Sequence, residues 1–95
     1  MPTIQLQGDV NTAGGVAQNG APSVRIQGRA VILVGNPVTP HSCCGQRGCP
    51  PVHCHATTSG GSPSFRIGGI AVIRTGDPDT CGHARAENSC SVRVD

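Results

Sequence analysis

Apolar and polar positions alternate in three short stretches of this chain: Val24-Arg25-Ile26, Phe65-Arg66-Ile67 and Val92-Arg93-Val94. A period of two is that of a half-buried strand. In the first two stretches a Gly-containing turn follows, Gln27-Gly28 or Gly68-Gly69. A second apolar run comes next, Ala30 to Val34 or Ile70 to Ile73. That order predicts two β-hairpins, although neither turn is the favoured Asn-Gly. Gly35-Asn36 and Gly76-Asp77 then mark a further reversal, and Gly8-Asp9 a third of the same kind. Asp and Asn suit it because their side chains bond their own backbone in turns. No segment has a helical period.

The pattern is a repeat. A shift of 41 residues lays Gly20-Ala-Pro-Ser-Val-Arg-Ile-Gln-Gly28 on Gly61-Ser-Pro-Ser-Phe-Arg-Ile-Gly-Gly69. A shift of 27 lays Ser64-Phe65-Arg66-Ile67 on Ser91-Val92-Arg93-Val94, and Gly8-Asp9 on Gly35-Asn36. Two units are complete. The third is split, with its strand around Val92 ending the chain and its second half, Ile4 to Asp9, beginning it. A linear array needs no split unit; a closed ring of approximate threefold symmetry does, and it places the termini side by side. Isolated hairpins are marginal, whereas three around one axis can share a small core.

The two intervals differ because the second carries an insertion at about residues 40–55. It reads Pro40-His41-Ser42-Cys43-Cys44-Gly45-Gln46-Arg47-Gly48-Cys49-Pro50-Pro51-Val52-His53-Cys54-His55. Such a density of Gly, Pro and Cys makes a loop, and a loop of this kind needs a fastener: a metal, disulfides or both. The related pair Cys81-Gly82-His83 follows the third Gly-Asx turn, so both segments are expected at one end of the axis. Thiolate and neutral imidazole are preferred zinc ligands. The candidates are His41, His53, His55, Cys81 and His83, and which four bind is open. His55 and His83 also read as solvated loop histidines. Cys44 with Cys49, or Cys49 with Cys54, could bridge; Cys43, Cys44, Cys49 and Cys54 also read as free thiols or as a second metal set. Cys90 reads as a small buried side chain. Cys and His together can form a nucleophile–base pair. With no third orienting group and little room for a pocket, the chain is not expected to be an enzyme.

Composition sharpens this picture. The 95 residues make one domain, 1–95. There is one Phe and no Trp or Tyr, but 14 Gly and 8 Pro, so a core alone is marginal and a staple is expected. Net charge is +2, without a basic run or aromatic ladder, which gives nucleic-acid binding no support. Met1 to Val16 hold an acid and no apolar run, so no signal peptide is expected. Six Cys made in a reducing cytosol favour metal over disulfides. Arg25, Arg66 and Arg93 recur at matched positions, either as the solvent side of each strand or as a ring of charge facing a partner.

The Gly-Ala/Ser-Pro-Ser-Val/Phe-Arg-Ile-x-Gly units, the Gly-Asx turns and the Cys-Gly that follows resemble the PAAR-repeat proteins over essentially the whole chain. The resemblance implies an all-β fold, a small cone of short β-hairpins with pseudo-threefold symmetry, a metal-stabilised tip and termini near the base. It implies one zinc ion, held in the family typically by three His and one Cys. Cys81 matches the family's Cys, His41 the His after the second turn, and His53 or His55 the loop His of long-looped members. Ala13 stands where a further His is usual. His83, or the second of His53 and His55, would then complete the set. The Pro-Ala-Ala-Arg signature is degraded, and only Arg74 keeps its Arg.

By that resemblance the chain is expected to cap a trimeric β-helical spike, one chain per trimer, in a phage tail or type VI secretion system, and to pierce a target cell envelope on firing. The docking face is expected to use Val24, Ile26, Phe65, Ile67, Val92 and Val94. The chain would be made in the cytoplasm, assembled in a virion tail or secretion apparatus and delivered extracellularly, and a fused toxin is not expected. The alternative is a stand-alone zinc- or disulfide-stapled protein-interaction mini-domain.

Overall fold

The computed structural model describes residues 2–21, 23–40, 47–48, 54–88 and 90–95. His41 and His53 lie outside them, as do Cys43, Cys44 and Cys49. Strands β1 (Arg25–Ile26) and β2 (Arg29–Ala30) pair antiparallel, with Arg25 opposite Ala30 and Ile26 opposite Arg29. Strands β3 (Arg66–Ile67) and β4 (Ile70–Ala71) repeat this, with Arg66 opposite Ala71 and Ile67 opposite Ile70. Both two-residue turns have positive φ at both centres: 55° and 77° at Gln27-Gly28, 59° and 82° at Gly68-Gly69. That is the primed turn whose twist matches paired strands. The expected hairpins are therefore present, and Gln27 accepts a left-handed backbone that most residues avoid.

The third pair is made by the two chain ends. Thr3 bridges Arg93 antiparallel. The Ile4 amide donates to the Val92 carbonyl (2.9 Å) and the Val94 amide to the Pro2 carbonyl (3.0 Å). In repeat register Arg93 stands where Arg25 and Arg66 stand, and Thr3 where Ala30 and Ala71 stand.

The apolar runs after the hairpin turns do not stay in their hairpins. Leu6 bridges Val31, Leu33 bridges Val72, and Arg74 bridges Ile4. One level on, Ile32 donates to Gln5, Ile73 to Ile32 and Gln5 to Ile73, at 3.0, 2.9 and 3.0 Å. These bonds run around a closed triangle, so at this level each of the three segments has a neighbour on both edges. Ile4, Val31 and Val72 fill one layer and Ile32 and Ile73 the next, all at most 1 % exposed. Leu6, Leu33, Ala21, Val94 and Cys90 complete the first cluster; Cys90 is a small buried side chain, as its sequence context suggests.

Each Gly-Asx turn is a tight backbone turn braced by its own side chain. Asp9, Asn36 and Asp77 donate their amides to the carbonyls of Leu6, Leu33 and Arg74. Their side-chain oxygens accept the amides of those same residues at 2.8, 2.7 and 2.7 Å. Gly8, Gly35 and Gly76 have φ of 95°, 90° and 92°, which explains glycine before each Asx. Arg74 adds a bidentate contact to Asp77 (2.7 and 3.1 Å), and this hydrogen-bonding raises its pKa.

Beyond each turn the chain enters a loop and returns. Val10 bridges Val16, Pro37 bridges Thr57 and Pro78 bridges Ala84. The return leg pairs Ala17 with Asp9, then Ala21 with Val31, and reaches the hairpin where the Val31 amide meets the Val24 carbonyl. The hairpin turns and the loops at 13–15 and 81–83 therefore fall at opposite ends of a molecule 38 Å long and 24 by 23 Å across.

Candidate metal centre and docking face

Cys81 and His83 sit in the short loop between Thr80 and Ala84, both half-buried. The Gly82 amide closes this loop onto the Asp79 carbonyl (2.9 Å), and the Asp79 amide bonds the His83 carbonyl (2.8 Å). The end of the Cys/His insertion arrives alongside. Thr80 and Thr57 are held together through a backbone bond of 2.9 Å and a bond from the Thr57 amide to the Thr80 hydroxyl of 3.0 Å. The Val38 amide bonds the Ala56 carbonyl (2.9 Å). Cys54 and His55 are thus delivered to the end that carries Cys81 and His83. His55 is exposed and Cys54 half-buried.

Cys81 is a free thiol, and so is Cys90, whereas Cys54 is in a disulfide. The disulfide reading of the insertion therefore holds for Cys54. A free, half-exposed thiol two residues from an imidazole fits zinc chemistry. Among the described residues no three His, Cys, Asp or Glu converge as a metal-holding group. His41 and His53, the other two candidates, lie outside those residues.

Beneath this end lies a buried polar network that sequence reasoning missed. Arg85 and Asp79 form an ion pair at 3.1 Å with both side chains wholly buried. Asn11 donates to the same Asp79 oxygen (2.8 Å). Arg85 also donates to the Gly15 carbonyl (2.8 Å) and, at 3.4 Å, to the Asp9 carbonyl. Asn11 accepts the amides of Ala13 (2.9 Å) and Gly15 (2.8 Å). Burial lowers the Arg85 pKa, opposed by the charges of Asp79, Asp9 and Cys81. The first loop, where Ala13 offers no donor to a metal, is thus tied down by hydrogen bonds. The signal was present as an Arg and an Asp at positions whose repeat equivalents are Ala17, Thr58 and Val38, Asn11.

At the other end the inner faces of the three strand elements converge. Val24, Ile26 and Ile67 are half-buried against the core cluster. Phe65, Ile70 and Val92 expose 40, 45 and 37 % of their surface. Of the six expected docking residues, Val94 differs, since it is 8 % exposed and belongs to the core. Ile70 joins the set because it faces Ile67 across the hairpin turn.

A search of curated proteins finds no match. A family model does match: the PAAR motif, over residues 7–84, the span that holds both complete hairpins, all three Gly-Asx turns and the Cys/His loops. The chain therefore belongs to the PAAR motif family.

Proposed function

We propose that this chain is an architectural tip: a cap on the blunt end of a trimeric β-helical spike in a contractile injection machine, either a phage tail or a type VI secretion system. The observation that carries the proposal is the closed triangle of backbone bonds, which lets one chain offer three strand pairs in matching repeat register to three partner chains. The apolar end around Val24, Ile26, Phe65, Ile67, Ile70 and Val92 is the surface such a cap would bury. Apolar area removed from water contributes about 25 cal/mol per Å² before the costs of association. The role is mechanical, and delivery across a target envelope follows from it.

The opposite end is the point. Its loops are too small for a core, so a metal cross-link suits them. One zinc would take Cys81 and three further donors from among His41, His53, His55 and His83. A bound zinc would supply a rigid tie between the second and third loops. The competing reading, a disulfide-stapled interaction module without a spike, draws on the Cys54 disulfide.

Co-expression with the spike encoded alongside, followed by a native mass measurement, separates the two. A complex of one chain per spike trimer is expected. A monomer with no affinity for the trimer overturns the cap reading. Elemental analysis of the purified chain is expected to find one zinc, lost on Cys81→Ser. A metal-free chain that retains its fold would remove the zinc from the proposal and leave the cap intact.

A further inference from the structure

Every cationic side chain of fixed charge in this chain is an arginine, seven in all. Arg29, Arg74 and Arg85 are paired with Asp9, Asp77 and Asp79 at 3.0, 2.7 and 3.1 Å. Arg25 and Arg66 make no ion pair among the described residues. Each instead folds back to its own hairpin turn: Arg25 donates to the Gly28 carbonyl (3.2 Å) and Arg66 to the Gly69 carbonyl (3.3 Å). The same contact at the same register in two units is a repeated feature of the fold. Arg93 occupies the third register position, opposite Thr3, and is exposed.

The geometry places these side chains with respect to the apolar end. Alternation puts Arg25 and Arg66 on the outer side of strands whose inner side carries Val24, Ile26, Phe65 and Ile67. By bending to the turn carbonyl, each guanidinium comes to the edge of the hairpin tip. The apolar end is thereby rimmed by cations. A guanidinium has five donors in a planar fork, and a turn carbonyl occupies only one or two. What remains matches a carboxylate, which a fork can bind through two parallel bonds.

We propose that Arg25, Arg66 and Arg93 form a rim that receives acidic side chains, one from each chain of a threefold partner, around the apolar contact. This rests on the cap reading above and adds the chemistry of the partner: a trimer whose blunt end is apolar at its centre and carboxylate-bearing at its edge. Rim charges act mainly on the speed of docking and its salt dependence, while the apolar centre sets how long the complex lasts. Three matched cations also favour the arrangement in which the two threefold axes coincide.

The test compares the wild-type chain with the triple variant Arg25→Gln, Arg66→Gln, Arg93→Gln. Both are mixed with the trimeric spike encoded alongside, and association rates are measured from roughly 0.05 to 0.5 M salt, a range over which screening shortens several-fold. The wild type is expected to slow as salt rises. The triple variant should associate about tenfold more slowly at low salt, with a nearly flat salt profile. A second variant, Arg25→Glu with Arg66→Glu, should be slower still. All three side chains are exposed, so a melting curve matching the wild type is expected for each variant. If the triple variant keeps the wild-type rate and salt profile while the wild type binds the trimer, the rim is overturned and the cap reading stands. If the wild type itself does not bind, both fall.

Discussion

Two of the three contacts that close this ring are bridged by a covalent hairpin, and one is not. The first and second segments are joined through β1 and β2, the second and third through β3 and β4. The third contact brings the start of the chain against its end. At the hairpin-linked contacts the facing side chains are small or apolar. Ala30 faces Gly20 and Ala71 faces Gly61 so closely that a Cβ on either glycine would come within 2.8 Å of an alanine methyl. At the unlinked contact the equivalent residues are polar. Asn88 stands where Gly20 and Gly61 stand, Thr3 where the alanines stand, and Gln5 where Ile32 and Ile73 stand. Asn88 donates to the Ile4 carbonyl (2.9 Å) and to Asp9 (2.6 Å), and accepts from the Thr3 hydroxyl (2.7 Å). Gln5 donates to the Thr75 hydroxyl and the Ala86 carbonyl, both at 2.9 Å. The Asn11–Arg85 bridge and the bond from Asn11 to Asp79 continue this seam toward the loop end. A hairpin turn fixes strand register by its length; two free strand ends have no such constraint and can slip. Side chains that bond particular backbone carbonyls supply the missing constraint, because a slip of one residue would break them all.

The comparison is broken most forcefully at the buried ion pair. Arg85→Met leaves Asp79 charged, buried and short of its partner, and is expected to destabilise the fold by about 3–5 kcal/mol in a denaturant melt. Adding Asp79→Val, which matches Val38 at the equivalent place, should recover much of that loss, since a hydrophobic replacement of a buried pair is often neutral. Failure of the double variant to recover would mean that the bonds from Arg85 to Gly15 and Asp9, rather than the pair, hold the seam. Next in size is Asn88→Gly, which makes the seam resemble its two counterparts. It removes three hydrogen bonds around the buried Thr3 and Asp9, and about 2 kcal/mol should be lost. Amide exchange should accelerate first at Ile4 and Val94, the donors between the two chain ends. A uniform loss of protection across β1 to β4 instead would show that the seam is no weaker than the linked contacts.

Much of this architecture can be read from residue spacing, and the reason is physical. The hairpins follow from the period of two in Val24-Arg25-Ile26 and Phe65-Arg66-Ile67, and the turns from glycine at positive φ before Asp or Asn. The split unit follows from Val92-Arg93-Val94 having no partner except Pro2 to Ile4. What spacing does not carry is the polar seam. Gln5, Asn88 and Arg85 look like departures from a repeat until the ends are in contact, because, Asp79 beside Arg85 apart, the partners that give them a role in the seam lie 70 or more residues away in the chain. The candidate site divides the same way. The turn geometry brings Cys81 and His83 to the end where Cys54 and His55 arrive, as the shared Gly-Asx turns imply. The inserted length breaks the repeat, however, so register assigns no partner to His41 or His53.

The smallest effect belongs to the linked side of the comparison. If a covalent turn does for two contacts what polar side chains do for the third, the quality of that turn should register in stability. The two hairpins offer a natural contrast. At Gly68 a φ of 59° is unstrained, while at Gln27 a φ of 55° presses Cβ toward the following carbonyl. Asn tolerates that conformation better than Gln and is preferred at the first centre of such turns. Gln27→Asn should therefore raise stability by about 0.5–1 kcal/mol. Gly68→Asn at the equivalent place should give less, since a side chain at a φ of 59° adds strain that offsets the gain from restricting the unfolded chain. Melting curves of the two variants decide the matter. A larger gain at position 68 than at 27 would mean that the first hairpin is held by its packing on the core, through Val24 and Ile26, and that its turn contributes little to register.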